Sequence, residues 1–253
     1  MDCKFKRDCK KANTCDCNDG CFAYIVLHGV DGDRGYWNTT RVPKKYQNCM
    51  MDNLPIEGEN PRAFEVIQKY CKDVLYYVLE KGMGLFLFSI PNAENRLGTG
   101  TGKTTSAITI LNEFLISRVS DYIKDDFKFR ENTTLFVKLS ELQNFYNAQF
   151  RGTFDTQGDA SRKYYTLMNR MKNAELLIID DIGIRDLTDA FKNELYDVID
   201  TRVTNDHATI YTSNYPLSHL NELLGERIVS RIEGQCYQLG FKGKDFRKGG
   251  LFR

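Results

Sequence analysis

No stretch of this 253-residue chain is apolar for long enough to cross a bilayer; even residues 21–30 fall well short of the ~20 needed. The first residues, Met1-Asp2-Cys3-Lys4-Phe5-Lys6, lack the apolar centre of a secretory leader. These two absences argue against a membrane partner and predict a cytoplasmic protein. An excess of one charge sign is missing too. The net formal charge is +1, which by itself requires no polyanion. The basic end, with Lys242, Lys244, Arg247, Lys248 and Arg253 against Asp245, reads as a solvated terminus. Internal repeats and low-complexity segments are also absent. Length and composition therefore point to one large globular domain, with room for a small module.

Paired C-x-x-C knuckles are missing, but cysteine is not. Five of the eight cysteines, Cys3, Cys9, Cys15, Cys17 and Cys21, fall in the first 21 residues. A cytosolic chain does not normally keep disulfides, so a dense cluster of thiols is read as a metal site. Residues 13–21 are turn-rich, which suits thiolates converging on one ion. Four thiolates on tetrahedral Zn2+ are the simplest solution. Cys9, Cys15, Cys17 and Cys21 are the favoured set, with Cys3 or His28 as substitutes. Free surface thiols and an iron–sulfur cluster are the alternatives. Such a metal would staple a Cys-rich module, residues 1–40, that is too short to build a core alone. Residues 29–40 read as its linker, and the larger domain, residues 41–253, begins near Val42-Pro43-Lys44-Lys45-Tyr46.

The larger domain alternates between helix and strand patterns. Residues 61–82 have helical apolar spacing, with Asn60 placed to cap them, Pro61 in the first turn and Gly82 at the end. Residues 84–88 are an apolar strand. Further strands are expected at 134–139, 176–179 and 209–212, the second of them uniformly apolar, as in a sheet covered on both faces. Helices are expected at 141–150 (capped by Ser140), 161–172, 189–204, 217–224 and 226–232, with a polar loop at 151–160. This alternation predicts an α/β fold, a parallel sheet between helices.

Four motifs carry chemistry. Between the first strand and a helix-like run lies Gly98-Thr99-Gly100-Thr101-Gly102-Lys103-Thr104-Thr105, the layout of a phosphate-binding loop. Its backbone N–H groups would close around a polyphosphate at a helix N-terminus. Lys103 would meet the β/γ-phosphates, and the Thr104 hydroxyl would meet Mg2+. Leu97 stands where the usual pattern has its first glycine, so an irregular entry and a bulge over 92–97 are expected. Next, Asp180 and Asp181 end the 176–179 strand. Adjacent carboxylates there are costly unless they hold a cation or a water. Asp180 would hold Mg2+ opposite Thr104, and Asp181 would orient or deprotonate the attacking water. Third, Thr212-Ser213-Asn214 brings an amide to the same end of the sheet. Fourth, Arg227 and Arg231 lie four apart on one helical face, either as solvated cations or as candidates to reach a neighbouring subunit's phosphate.

Taken in order, the phosphate loop, Ile179-Asp180-Asp181-Ile182-Gly183, Thr212-Ser213-Asn214, Glu226-Arg227-Ile228-Val229-Ser230-Arg231-Ile232 and Gly243-Lys244-Asp245-Phe246-Arg247 resemble the DnaC/DnaI-type helicase loaders. These are AAA+ ATPases akin to DnaA and to the IstB transposition helpers, and the resemblance covers about residues 42–247. It implies an AAA+ P-loop core without a C-terminal lid, binding ATP and Mg2+. By it, Gly100, Gly102, Lys103 and Thr104 form Walker A, Asp180 and Asp181 Walker B, Asn214 sensor 1, Arg231 an arginine finger (with Arg227 in reserve) and Arg247 sensor 2. Many AAA+ proteins carry Glu where Asp181 stands, so slow, partner- or ssDNA-stimulated hydrolysis is implied. A finger acting in trans implies self-association. The implied partners are a replicative hexameric helicase and single-stranded DNA, the latter near residues 141–172, where aromatics alternate with Arg and Lys. Two other roles stay open: a transposase helper like IstB, and an adaptor switched by ATP binding alone.

Overall fold

The computed structural model describes residues 5–6, 9, 20–31, 35–124, 133–183 and 186–246. Five strands, β1 (Gly84–Ser89), β2 (Thr134–Lys138), β3 (Leu176–Asp180), β4 (Ala208–Ser213) and β5 (Cys236–Phe241), form one sheet in the order β2-β3-β4-β1-β5. Every neighbouring pair is parallel. The expected strands are present. β5 is an addition: its Gly240 and exposed Tyr237 and Gln238 hide the alternation of a strand that lies at the sheet edge.

Side chains sort by parity, as the pleat requires. Leu177 and Ile179 of β3 join one buried cluster with Phe86, Leu135, Val137 and Tyr211, whereas Leu176 and Ile178 join another with Leu85, Leu87, Phe136 and Ile210. The first face is covered by α5 (Leu139–Ala148), α6 (Phe154–Asn173), α7 (Asp189–Thr204) and α9 (Glu226–Gln235). The second is covered by α3 (Pro61–Lys72) and α4 (Lys103–Lys124). Among the described residues the other α-helices are α1 (Phe22–His28), α2 (Tyr36–Thr39) and α8 (Asn221–Leu224).

Several local expectations are corrected. The helix over 61–82 breaks at Asp73 (φ −118°, ψ 39°) and resumes as a π-helical turn, Tyr76–Glu80. The Tyr70 hydroxyl donates to Met83 O at 2.6 Å, tying the turn to the entry of β1. Asn60 does not cap α3; its amide instead exchanges two hydrogen bonds with the backbone of Lys242. α5 starts at Leu139 without a side-chain cap, so Ser140 lies inside its first turn. Most of the loop expected at 151–160, from Phe154 on, is the start of α6, because Thr153 accepts from Thr156 N and caps it there.

The stretch 29–40 is likewise more than a linker. It contains α2, whose Trp37 is buried in a third cluster with Phe5, Leu27 and, from α4, Leu115, Ile116 and Val119. Thr40 O accepts Phe136 N at 2.7 Å, covering part of the otherwise open side of β2. Arg170 donates to Thr39 O at 2.6 Å.

At the end of the sheet where β4 begins, Arg202 of α7 is fully buried without a carboxylate among its hydrogen-bond partners. Its guanidinium donates to Met171 O and Ala174 O at the C-terminus of α6, to Ala208 O and to Thr209 Oγ1. Burial pushes its pKa down to about 9, which still leaves it charged at neutral pH. The negative end of the α6 dipole is a natural partner for that charge. No helix among the described residues is long and apolar enough to cross a membrane.

Candidate active site

The carboxyl ends of β1, β3 and β4 meet at a cavity of about 360 Å³. It is lined by Thr99–Thr105, Asp181, Asn214, Tyr46, Pro55 and Phe246. The sequence places the loop there because β1 is short and apolar and α4 begins at Lys103, so residues 98–102 must turn the chain through a tight arc.

The entry to that arc is built differently from the usual pattern. Leu97 is 76% exposed and is not among the positive-φ residues. Gly98 is, with φ +59°, and a Cβ there would lie 2.4 Å from Ser89 Cβ. Ahead of it, Asn92 Oδ1 accepts from the N–H groups of Glu94 and Asn95, and Gly98 N donates to Asn95 O. The expected bulge over 92–97 is therefore a compact Asx turn, and the positive-φ position is shifted by one residue from Leu97 to Gly98.

Lys103 is 6% exposed. Its Nζ donates to Ser89 Oγ at 2.6 Å and to Gly98 O at 3.2 Å, so the cation is held within the loop it serves. Thr104 Oγ1 donates to Asp180 Oδ1 at 2.8 Å, and Thr212 Oγ1 donates to the same oxygen at 2.7 Å. Asp180 is buried. Burial, then the neighbouring Asp181 charge, push its pKa up, while the Thr212 and Thr104 hydroxyls and Lys138 pull it back. A desolvated carboxylate beside a threonine hydroxyl is a fitting donor pair for a hard divalent cation.

Asp181 has φ +61°, a backbone conformation uncommon outside glycine. It is held there by its N–H, which donates to Thr212 Oγ1 at 2.9 Å. Its carboxylate lies 3.3 Å from Lys138 Nζ and lines the cavity. Asn214 lines the same cavity, at the turn after β4.

Ser89, which anchors Lys103, escapes a motif reading; its only signal is a hydroxyl closing an apolar strand. Thr212, read only as part of Thr212-Ser213-Asn214, joins both aspartates. Tyr46 is brought in from far upstream because Asn112 and Glu113 of α4 bond the backbone of Cys49 and Met51.

The remaining predicted residues lie elsewhere. Arg231 is half-exposed on α9, with Nε 2.7 Å from Asp200 Oδ1. Arg227 packs over the Tyr196 ring at 5.3 Å. Neither lines the cavity. Arg247 lies outside the described residues, as do Cys3, Cys15 and Cys17. Cys9 and Cys21 are described, and no group of three or more His, Cys, Asp or Glu among the described residues is arranged to hold a metal. In the 141–172 stretch the aromatics divide. Tyr146, Phe145 and Tyr164 belong to the core, whereas Phe150, Phe154 and Tyr165 are exposed by 67%, 90% and 57%.

Residues 136–250 match the family described as IstB-like ATP binding protein. The replicative helicase loader DnaC of Buchnera aphidicola subsp. Baizongia pistaciae is 26% identical over 209 residues, 82% of this chain and 72% of that one. DnaC of Escherichia coli K12 is 23% identical over 197 residues, 78% of this chain and 67% of that one. A crystal structure of the DnaC helicase loader superposes with a TM-score of 0.54 at 23% identity, covering 79% of this chain and all of that one. That likeness bears on the fold, a parallel sheet between helices. Residues 136–250 thus carry an IstB-like domain, and about four fifths of the chain is similar in sequence to the DnaC helicase loaders.

Proposed function

We propose that this chain is an ATPase that loads a replicative hexameric helicase onto single-stranded DNA in the cytoplasm. The observation carrying this reading is the convergence of Lys103, Thr104, Asp180, Asp181 and Asn214 at one cavity, in a chain homologous to DnaC. ATP enters with its phosphates over the loop N–H groups and the positive end of α4. Lys103 leaves Ser89 and Gly98 to meet the β/γ-phosphates. Thr104 and Asp180 are the residues suited to hold Mg2+, which supplies charge neutralisation when bound. Asp181 accepts the proton of a water aligned on the γ-phosphate, and Asn214 orients that water. Arg231 releases Asp200 to act as a finger on a neighbouring subunit's nucleotide, and Arg247 serves as sensor 2. Phe150, Phe154 and Tyr165 stack on bases beside Arg151 and Lys163.

The test is an ATP-dependent loading assay with a hexameric helicase and circular single-stranded DNA. Loading that is indifferent to ATP would end this reading. ssDNA affinity is expected to fall steeply with salt, and a flat response would remove DNA from the partners. A second reading, a switch driven by ATP binding alone, draws support from the Lys138–Asp181 ion pair, which occupies the candidate base. Asp181→Asn separates the two: repeated loading cycles by that variant favour the switch. The family match also keeps a transposase-helper role in view, and pull-down of a transposase rather than a helicase is its signature. Zinc at Cys9, Cys15, Cys17 and Cys21 rests on cysteine spacing alone; metal analysis of the full chain should find about one zinc per chain.

A further inference from the structure

After β5 the chain turns back across the phosphate loop and is fastened to it. Asn60 bonds both backbone groups of Lys242, at 2.8 and 2.9 Å. Asn95 Nδ2 bridges two segments, donating to Thr99 O at 2.8 Å and to Gly243 O at 3.1 Å. Thr99 Oγ1 donates to Asp245 Oδ2 at 3.1 Å, and Phe246 N donates to Gly100 O at 3.1 Å. A Cβ added to Gly100 would lie 1.6 Å from Asp245 Oδ1, so the carboxylate fills the place of a side chain. Phe246 lines the nucleotide cavity, whereas Asp245 braces the loop from outside that lining.

One of these contacts, Phe246 N–H on Gly100 O, acts directly on a peptide unit of the loop, and the others hold the strap and Thr99 around it. A trans peptide is planar, so its C=O and N–H point in opposite directions. When Phe246 N–H fixes the carbonyl of Gly100, the N–H of Thr101 is fixed the opposite way. Phosphate loops bind anions through such N–H groups, and a loop already ordered loses less freedom on binding.

We propose that Asp245 and Phe246 are positioning residues of the nucleotide site: the strap 242–246 holds the Gly100–Thr101 peptide turned for phosphate before ATP arrives. This rests on the ATP-site reading above. The carboxylate contributes as an acceptor for Thr99 and as a filler beside Gly100, while its negative charge opposes the incoming phosphates.

The two contributions are separable by substitution. Asp245→Asn keeps an acceptor and the shape but removes the charge; Asp245→Ala removes both. With the full chain and Mg-ATP in titration calorimetry, D245A should bind about tenfold more weakly. D245N should stay within about threefold of wild type. In steady state the D245A loss should fall on KM, with kcat little changed, and the melting temperature without nucleotide should drop by no more than about 2–4 °C. D245A binding like wild type, or both variants binding more tightly, would overturn the assignment while leaving the ATP site intact. Failure of the wild type itself to bind Mg-ATP would instead remove the ATP reading, and this inference with it.

Discussion

Two buried cations sit at opposite ends of this sheet, and they solve the same problem differently. Arg202, where β4 begins, is matched by three carbonyls and a hydroxyl, all of them packed within the fold. Lys103, where β1 ends, is held by the hydroxyls of Ser89 and Thr101 and by a loop carbonyl, partners that a phosphate would replace in the proposed function. Burying a charge is costly at both ends. At the Arg202 end the compensation locks α6, α7 and β4 together; at the Lys103 end it can be exchanged for a ligand. Carbonyls and hydroxyls serve both charges; what differs is the place of the partners, packed between α6, α7 and β4 for Arg202 and on the loop that lines the cavity for Lys103.

Substitutions can break or sharpen the contrast. Arg202→Ala leaves several carbonyls unpartnered and should cost about 3–5 kcal/mol of stability. Urea unfolding should report this as a lower midpoint at unchanged slope, with nucleotide affinity of the folded fraction preserved. Lys103→Ala should weaken ATP binding about 100-fold, roughly 2.7 kcal/mol, without lowering the apo melting temperature. A large stability loss there would break the comparison. Thr212→Val tests the border between the two roles, because its hydroxyl serves both Asp180 and the Asp181 backbone. It should cost about 1–2 kcal/mol in stability and slow hydrolysis as well. Leu97→Gly, which restores the familiar loop pattern, should change stability and ATP affinity by no more than about 0.5 kcal/mol, since Gly98 already makes the turn.

The Lys103 end was largely readable from residue order, and the Arg202 end was not. The loop, the Asp180–Asp181 pair and Asn214 are each local runs at strand ends, so spacing places them together once the sheet is parallel. Arg202 sits in an ordinary helical pattern, and its partners lie some thirty positions before it and several after it; nothing in the run 189–204 marks it as buried. Asn60 looked like a helix cap because the residue type suits one, but its partner is Lys242, 182 positions away. The polar run 151–160 reads as a loop where the Thr153 cap starts a helix. Two causes cover these misreadings: the deciding contact is distant, or a single hydroxyl outweighs a local propensity.

Asp181 carries one more consequence. A left-handed backbone is tolerated best by glycine and, among side-chain-bearing residues, by asparagine and aspartate, and costs others about 1–2 kcal/mol. Glutamate, common at this position in AAA+ proteins by the resemblance noted above, would meet that penalty here. The backbone thus acts as a filter on sequence drift. Without a change at Thr212 or in the 180–183 turn, the substitutions open to this acid are few, and the short side chain is the acid that the turn accepts most readily.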